Sequence, residues 1–168
     1  LNDVPVGAGG LSEFTTGVSG LPSGTVIYFR AWALNTSGRG YSTESSFTTL
    51  PTVSAPTFSD ETDTTAILGG TVSSDGAATV TDRGTVWGTS PNPSGNVLSE
   101  GSGNGSFTHL RTGLPSSTLI YFRAYATNAG GTSFSADGSF TTQLAAAVPT
   151  VTAPTVADVT ASTATLGG

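Results

Sequence analysis

The chain repeats itself, and this limits what it can fold into more than any other feature. The sequence Gly-Leu-Pro-Ser at 20–23 returns at 113–116, and Ile-Tyr-Phe-Arg-Ala at 27–31 returns at 120–124. Both recur 93 positions later. A period of this size is the length of one small self-sufficient domain and is too long for a solenoid unit. The sequence therefore predicts a tandem array of one domain type.

The phase of the repeat predicts where the copies begin and end. Residues 1–50 correspond to the C-terminal half of a first copy, 51–143 to a complete copy, and 144–168 to a linker followed by the first strands of a third. We expect a segment of a longer protein. Alternatively, the tail 149–168 completes the half-copy of a neighbouring chain by strand donation, although a counterpart of 71–93 would still be missing.

Composition excludes several classes of protein and of site. Charged residues are 10% of the chain, the net charge is −6 and there is no Lys, which argues against binding to nucleic acid or to anionic membranes. The absence of Cys excludes disulfides, Cys-ligated zinc and attached c-type haem. No cofactor and no membrane insertion are expected, because no apolar run approaches the ~20 residues that span a bilayer. Few charges, many Ser and Thr, and no oxidisable Cys or Met favour an extracellular or cell-surface location.

The well-patterned segments are typical of β-strands. They are short, rich in β-branched and aromatic residues, and separated by turn residues such as those at 73–76 and in the Pro-containing loop 89–96. No segment has apolar residues at helical spacing. About seven strands per copy predict an all-β sandwich. The predicted strands of the complete copy include 66–72, 78–87, 105–110, 118–128 and 138–143.

Taken together, the motifs resemble fibronectin type III domains of the variety found in bacterial surface and secreted proteins. The resemblance rests on Gly-Leu-Pro-Ser-Ser-Thr at 113–118, Tyr-Phe-Arg-Ala-Tyr-Ala-Thr-Asn at 121–128 and Ser-Phe-Thr-Thr at 139–142. It implies tandem immunoglobulin-like, fibronectin type III β-sandwiches, but the fold alone does not define a function. One departure puts the family's corner hydrogen bond in question. Many members have Tyr where this chain has Ile27 and Ile120.

Alternation along the longest strand separates a core face from an outer face. Ile120, Phe122, Ala124 and Ala126 are predicted to face the core. The residues of the other face could stiffen the sheet, pack against another chain or domain, or stack on sugar rings, with each Arg between aromatic ring faces. These candidate interface or binding residues are Tyr28, Arg30 and Trp32 in the first copy and Tyr121, Arg123 and Tyr125 in the second.

The sequence offers little for catalysis or for metal binding. His109 is the only His, and Thr16 stands in its place in the first copy. The carboxylates Asp60, Glu61 and Asp63 cluster near a domain junction, but a solvated loop is the favoured interpretation over a calcium site. The chain is therefore predicted not to be an enzyme, with no metal site.

Two Asn residues match the acceptor pattern for N-linked glycosylation. Asn35-Thr36-Ser37 and Asn104-Gly105-Ser106 are the two matches, and O-linked sugar on a Ser- and Thr-rich chain is equally plausible. Either modification would show in the intact mass.

The expected function is structural. The sequence predicts an extracellular bacterial fibre, filament or stalk whose partners are copies of itself and, as a further partner class, surface glycans. The alternative is a spacer or binding module of a larger secreted carbohydrate-active enzyme or adhesin. In either role, the linker 144–148 should pack onto a neighbour or act as a hinge.

Overall fold

The computed structural model describes residues 5–7 and 12–168, and every regular element in that part of the chain is a β-strand. The strands are β1 Val26–Phe29, β2 Trp32–Asn35, β3 Gly38–Tyr41, β4 Ser45–Thr48, β5 Thr52–Val53, β6 Thr57–Ser59, β7 Ala66–Ser74, β8 Asp82–Gly88, β9 Leu98–Ser99, β10 Gly105–Arg111, β11 Leu119–Asn128, β12 Gly131–Phe134, β13 Gly138–Thr141, β14 Thr155–Ala157 and β15 Thr165–Gly167.

The complete copy is a sandwich of two antiparallel sheets. One sheet has the order β10-β7-β5, with β6 also paired to β7, and the other has the order β12-β11-β8-β9, with β13 also paired to β11. Strands β5 and β6 both pair with β7, and strands β12 and β13 both pair with β11. Each of these two sets is therefore a single interrupted strand. Seven strands result, and the predicted all-β, immunoglobulin-like sandwich is confirmed.

Alternation along β11 builds the core between the sheets, as predicted. Ile120, Phe122, Ala124 and Ala126 are all fully buried. At one end of the sandwich, the ring of Phe122 lies edge-on to Phe140, with 5.7 Å between centroids. Apolar residues with period two along a half-buried strand therefore account for the core.

The half-copy at the start of the chain repeats the pairing of the complete copy. Val26 pairs with Thr48 in β1–β4, as Leu119 pairs with Thr141 in β11–β13. In the β2–β3 hairpin, Trp32 pairs with Tyr41 at the positions of Tyr125 and Phe134. The recurrence of register shows that the sequence repeat is a repeat of structure.

The segment after residue 148 repeats the beginning of the complete copy. Strands β14 and β15 pair Thr155 with Gly167, which correspond to Thr57 and Gly69 in β6–β7. The intervening turn is also reproduced. The hydroxyls of Thr160 and Thr163 lie 2.7 Å apart, and those of their counterparts Thr62 and Thr65 lie 2.8 Å apart.

One predicted strand begins later than the sequence suggests. The pattern at 78–87 predicts a strand, but β8 begins at Asp82. Residues 75–81 cross from one sheet to the other, starting with a turn in which Gly76 and Ala77 have positive φ angles of 72° and 67°. The buried side chain of Val80 fills the core at this crossing. A segment that passes between sheets cannot pair along either of them, which explains the delayed start.

The corner before β11 is held by a threonine. Ile120, where many family members have Tyr, is buried in the core. The hydroxyl of Thr142 accepts a hydrogen bond from the Thr118 N–H (3.0 Å) and donates one to the Pro115 carbonyl (2.6 Å). The short side chain of Thr142, directly after β13, therefore holds the loop that leads into β11.

Candidate interfaces of the repeat

Tyr125 lies on the outer face of β11, as predicted, but it is only 4% exposed. Its hydroxyl donates a hydrogen bond to Asp82 Oδ2 on β8 (2.9 Å). Burial, followed by this hydrogen bond, raises the pKa of Tyr125 to about 12. Tyr125 therefore offers almost no surface to a partner, which corrects the expectation of an exposed aromatic side chain.

Arg123 does not lie between tyrosine rings. Its guanidinium carbon lies 4.6 Å from the ring centroid of Phe134 on β12, its Nε donates to the Ser135 carbonyl (3.0 Å), and Asp137 is 3.6 Å away. The reason is geometric. Tyr125 pairs directly with Phe134, so Phe134 is the diagonal cross-strand neighbour of Arg123. Tyr121 is half-buried on the same face.

The first copy uses a different arginine over its aromatic residue. The guanidinium of Arg39 lies 4.0 Å from the ring centroid of Trp32, whereas Arg30 lies 3.5 Å from Glu44 in an exposed ion pair. Tyr28 is exposed. Arg39 and Phe134 were not predicted as stacking partners, because each lies on the strand next to the one that carries the candidate interface residues. The interface and sugar-stacking roles of this face remain predictions.

A shallow groove of about 250 Å³ lies beside Tyr125 on the same face. Its polar groups are largely paired with one another. Asp82 accepts from Ser99 as well as from Tyr125, and the hydroxyls of Thr127 and Thr132 lie 2.7 Å apart. These hydrogen bonds link β8, β9, β11 and β12 and thereby stabilise the sheet at this groove.

A polar network lies between the two sheets, around the fully buried Thr85. His109 Nε2 is 2.7 Å from Thr85 Oγ1, and His109 Nδ1 is 2.9 Å from Glu100 Oε2, in an ion-pair contact that is poorly aligned as a hydrogen bond. Arg111 Nε donates to Thr85 Oγ1 (3.2 Å), and burial lowers the pKa of Arg111 to about 10. The order carboxylate, imidazole, hydroxyl resembles a catalytic relay. However, Thr85 is 0% exposed, so its hydroxyl cannot meet a substrate.

This network predicts a loss of stability in mild acid. Burial is the main cause that lowers the pKa of His109 from its usual 6.5; Arg111 lowers it further and Glu100 opposes both. Below about pH 6.5 the unfolded chain takes up a proton that the folded chain resists, so the free energy of unfolding falls as pH falls. We expect His109→Thr, which introduces the residue of the first copy, to flatten this slope in urea titrations between pH 7 and 5.5. An unchanged slope would contradict the assignment.

The two candidate glycosylation sites are on the surface. Asn35 is exposed, and its Oδ1 accepts a hydrogen bond from the Ser37 N–H (2.8 Å). Asn104 is exposed in the turn before β10, where its main-chain carbonyl accepts from Arg83 (2.8 Å). Modification of either remains a prediction.

The acidic residues near the domain junction do not gather into a metal site. Asp60 adopts a φ of 52° in its turn, and Ser59 donates a hydrogen bond to it (3.2 Å). Across the part of the chain that the structure describes, no group of three His, Cys, Asp or Glu side chains could hold a metal ion.

The first junction, where Thr48–Pro51 runs into the complete copy, is closely packed. The side-chain amide of Asn128, which is 5% exposed, donates to the Thr49 carbonyl (2.9 Å) and to the Asp75 carbonyl (2.6 Å). Ser133 donates to the Pro51 carbonyl (2.6 Å), and Pro51 itself is buried. Two of these side-chain hydrogen bonds join the linker to one end of the complete copy. The third fixes the loop at Asp75 beneath the linker. Sequence analysis missed this site.

The second junction, residues 143–150, is different. Leu144 is 80% exposed and Val148 is 87% exposed. Packing of this apolar linker onto a neighbour and its action as a hinge both remain predictions.

No family model matches the chain, and no curated protein matches it. Among solved structures, the sixth fibronectin type III domain of the human fibronectin type III domain containing protein 3 is similar at 21% identity and a TM-score of 0.42, covering 60% of this chain and 92% of that one. A crystal structure of several titin domains is similar at 19% identity and a TM-score of 0.41, covering 69% of this chain and 40% of that one. Within the described residues, no helix is long and apolar enough to cross a bilayer.

Proposed function

We propose that the chain is a structural segment of an extracellular bacterial fibre, filament or stalk, built from repeated β-sandwich copies and without catalytic activity. The observation that carries this proposal is the recurrence of strand registers: the first and second copies share one register, and the second and third copies share another. A single binding or catalytic site does not require repeated copies of the domain. A rod whose length sets the distance between its two ends does require them. The outer faces of the copies differ in their aromatic residues, so lateral contacts need not be equivalent along the rod.

The unprotected strand edges support association between chains. Among the strands of the described residues, β10 pairs with β7 alone and β12 pairs with β11 alone, so each leaves one edge open. Open edges with little charge are templates for pairing with another strand. The partners we propose are therefore copies of the same protein, with surface glycans as a further class.

Electron microscopy of the natively secreted material tests this proposal. Regular filaments with an axial repeat near one or two domain lengths are the expected result. Isolated beads on a flexible string would overturn the fibre and favour the second candidate, a spacer or binding module of a secreted carbohydrate-active enzyme or adhesin. The exposed linker 144–148 is the observation that favours that candidate.

Deleting Leu144–Val148 should change both assembly and the spacing of the domains. The deletion makes the second junction as short as the first. It removes the exposed apolar segment and the extra chain length that this segment provides between the copies. Small-angle scattering would measure the distribution of overall dimensions, and microscopy would measure assembly. If both stay unchanged, the linker has no role in spacing.

A further inference from the structure

The side chains of Asn128 and Ser133, with Gly76 and Gly130, form a surface that binds the preceding linker and is called the seat below. We infer that this end of the repeat is a binding site for the main chain of Thr48–Pro51, and that it fixes the angle between the first two copies. This inference concerns the first joint alone and does not require that the chain forms a fibre.

The seat is preorganised by hydrogen bonds within the complete copy. Asn128 Oδ1 accepts from the Gly130 N–H (2.8 Å), which orients the side chain before any linker arrives. The two amide hydrogens then bond to Thr49 and Asp75, so the bonding groups of a buried amide are used. An unpaired amide at this depth would cost about 1–3 kcal/mol, which favours occupation by the linker.

Two glycines allow the linker to approach this closely. A Cβ at Gly130 would lie 2.7 Å from the Thr48 carbonyl oxygen, and a Cβ at Gly76 would overlap the main chain of Thr49 and Leu50. Gly76 also has a φ of 72°, which disfavours other residues. The seat therefore recognises main-chain carbonyls and excludes side chains, as expected for a site that binds an extended linker.

Thr49 adds a hydrogen bond across the first junction. The hydroxyl of Thr49 accepts from the Gly24 N–H (3.1 Å) and donates to the Gly76 carbonyl (3.3 Å). This threonine therefore links the end of the first copy to the loop that begins the crossing between the two sheets.

The first copy provides a matched control for the seat. Asn35, the counterpart of Asn128, forms the same turn through the Ser37 N–H (2.8 Å) but is exposed. Ser37 stands where the second copy has Gly130. Asn35→Ala therefore removes the same local hydrogen bond without touching the first junction, and Gly130→Ser introduces the first-copy residue into the seat.

Spin labels can measure the first joint in the intact chain, because it contains no Cys. Cysteines at the exposed positions Thr43 and Thr108 report on this joint. Pulsed electron paramagnetic resonance should give a narrow distance distribution for this first pair. Asn128→Ala and Gly130→Ser should each remove the narrow peak of the first pair, whereas Asn35→Ala should leave it in place.

Each alternative result has a defined meaning. A broad distribution for the first pair in the unsubstituted chain would overturn the inference. A narrow first distribution that survives Gly130→Ser would show that the seat does not fix the angle. Gly130→Ser leaves the Asn128 side chain intact, and the circular dichroism melting curve of each variant confirms that the complete copy is folded. Filaments seen or not seen by microscopy bear on the proposed function and leave this result unaffected.

Discussion

Phe122→Ala is expected to lower the free energy of unfolding of the complete copy by about 3–5 kcal/mol, the usual cost of removing a buried aromatic ring. Phe122 is 0% exposed and lies edge-on to both Phe58 and Phe140, at centroid distances of 5.9 and 5.7 Å. Its removal therefore loses buried apolar surface and leaves a cavity between the two sheets.

The matched control for this prediction is Phe29→Ala. Phe29 occupies the same position in the first copy, within the same strand register, but it is 52% exposed. We expect a loss below about 1 kcal/mol, since little surface is withdrawn from water. Urea titration followed by the fluorescence of Trp87, which packs against the Phe122 cluster, measures Phe122→Ala in a Trp32→Phe background. The fluorescence of Trp32, in the first copy, measures Phe29→Ala in a Trp87→Phe background. Equal losses would show that the half-copy is as well packed as the complete one.

The fold could be predicted because its determinants are local. The repeat at a fixed offset defined the copies, and the alternation along β11 separated Phe122 and Ala124, which are buried, from Tyr121 on the other face. The short strands β5, β6, β9 and β12 were not predicted. Each has two to four residues and is defined by pairing with a longer neighbour, so its own sequence contains too little pattern.

The candidate sites were less predictable, because their determinants are distant in sequence. The burial of Tyr125 depends on Asp82, which lies 43 residues earlier. The contact between Asn128 and Thr49 spans 79 residues and two copies. Alternation assigns a side chain to a face, but it cannot say what the neighbouring strand places over it. For this reason the candidate interface residues were assigned to the correct face of the sheet but with the wrong stacking partners.

A second large effect is expected at a close contact between the two sheets. Gly70 on β7 faces the core between Leu68 and Val72, and a Cβ there would overlap the Cβ of Ala124 on β11. Gly70→Ala should therefore destabilise the complete copy by about 1–3 kcal/mol, the usual cost of overpacking a core. The counterpart Gly168 has only ordinary contacts at 3.5 Å or more, so Gly168→Ala should have little effect in the same urea titration.

The double variant Gly70→Ala/Ala124→Gly tests whether this contact is the cause. Exchanging the two residues moves one methyl group from one sheet to the other and keeps the volume between them. If the overlap of Cβ atoms causes the loss, the double variant should be more stable than the sum of the two single losses predicts, even though glycine at 124 costs about 0.5–1 kcal/mol in a strand. Strict additivity would mean that Gly70 is required for another reason. A favourable coupling would establish that a glycine facing an alanine sets the distance between the sheets, and thereby the depth of the core that the repeated aromatic residues fill.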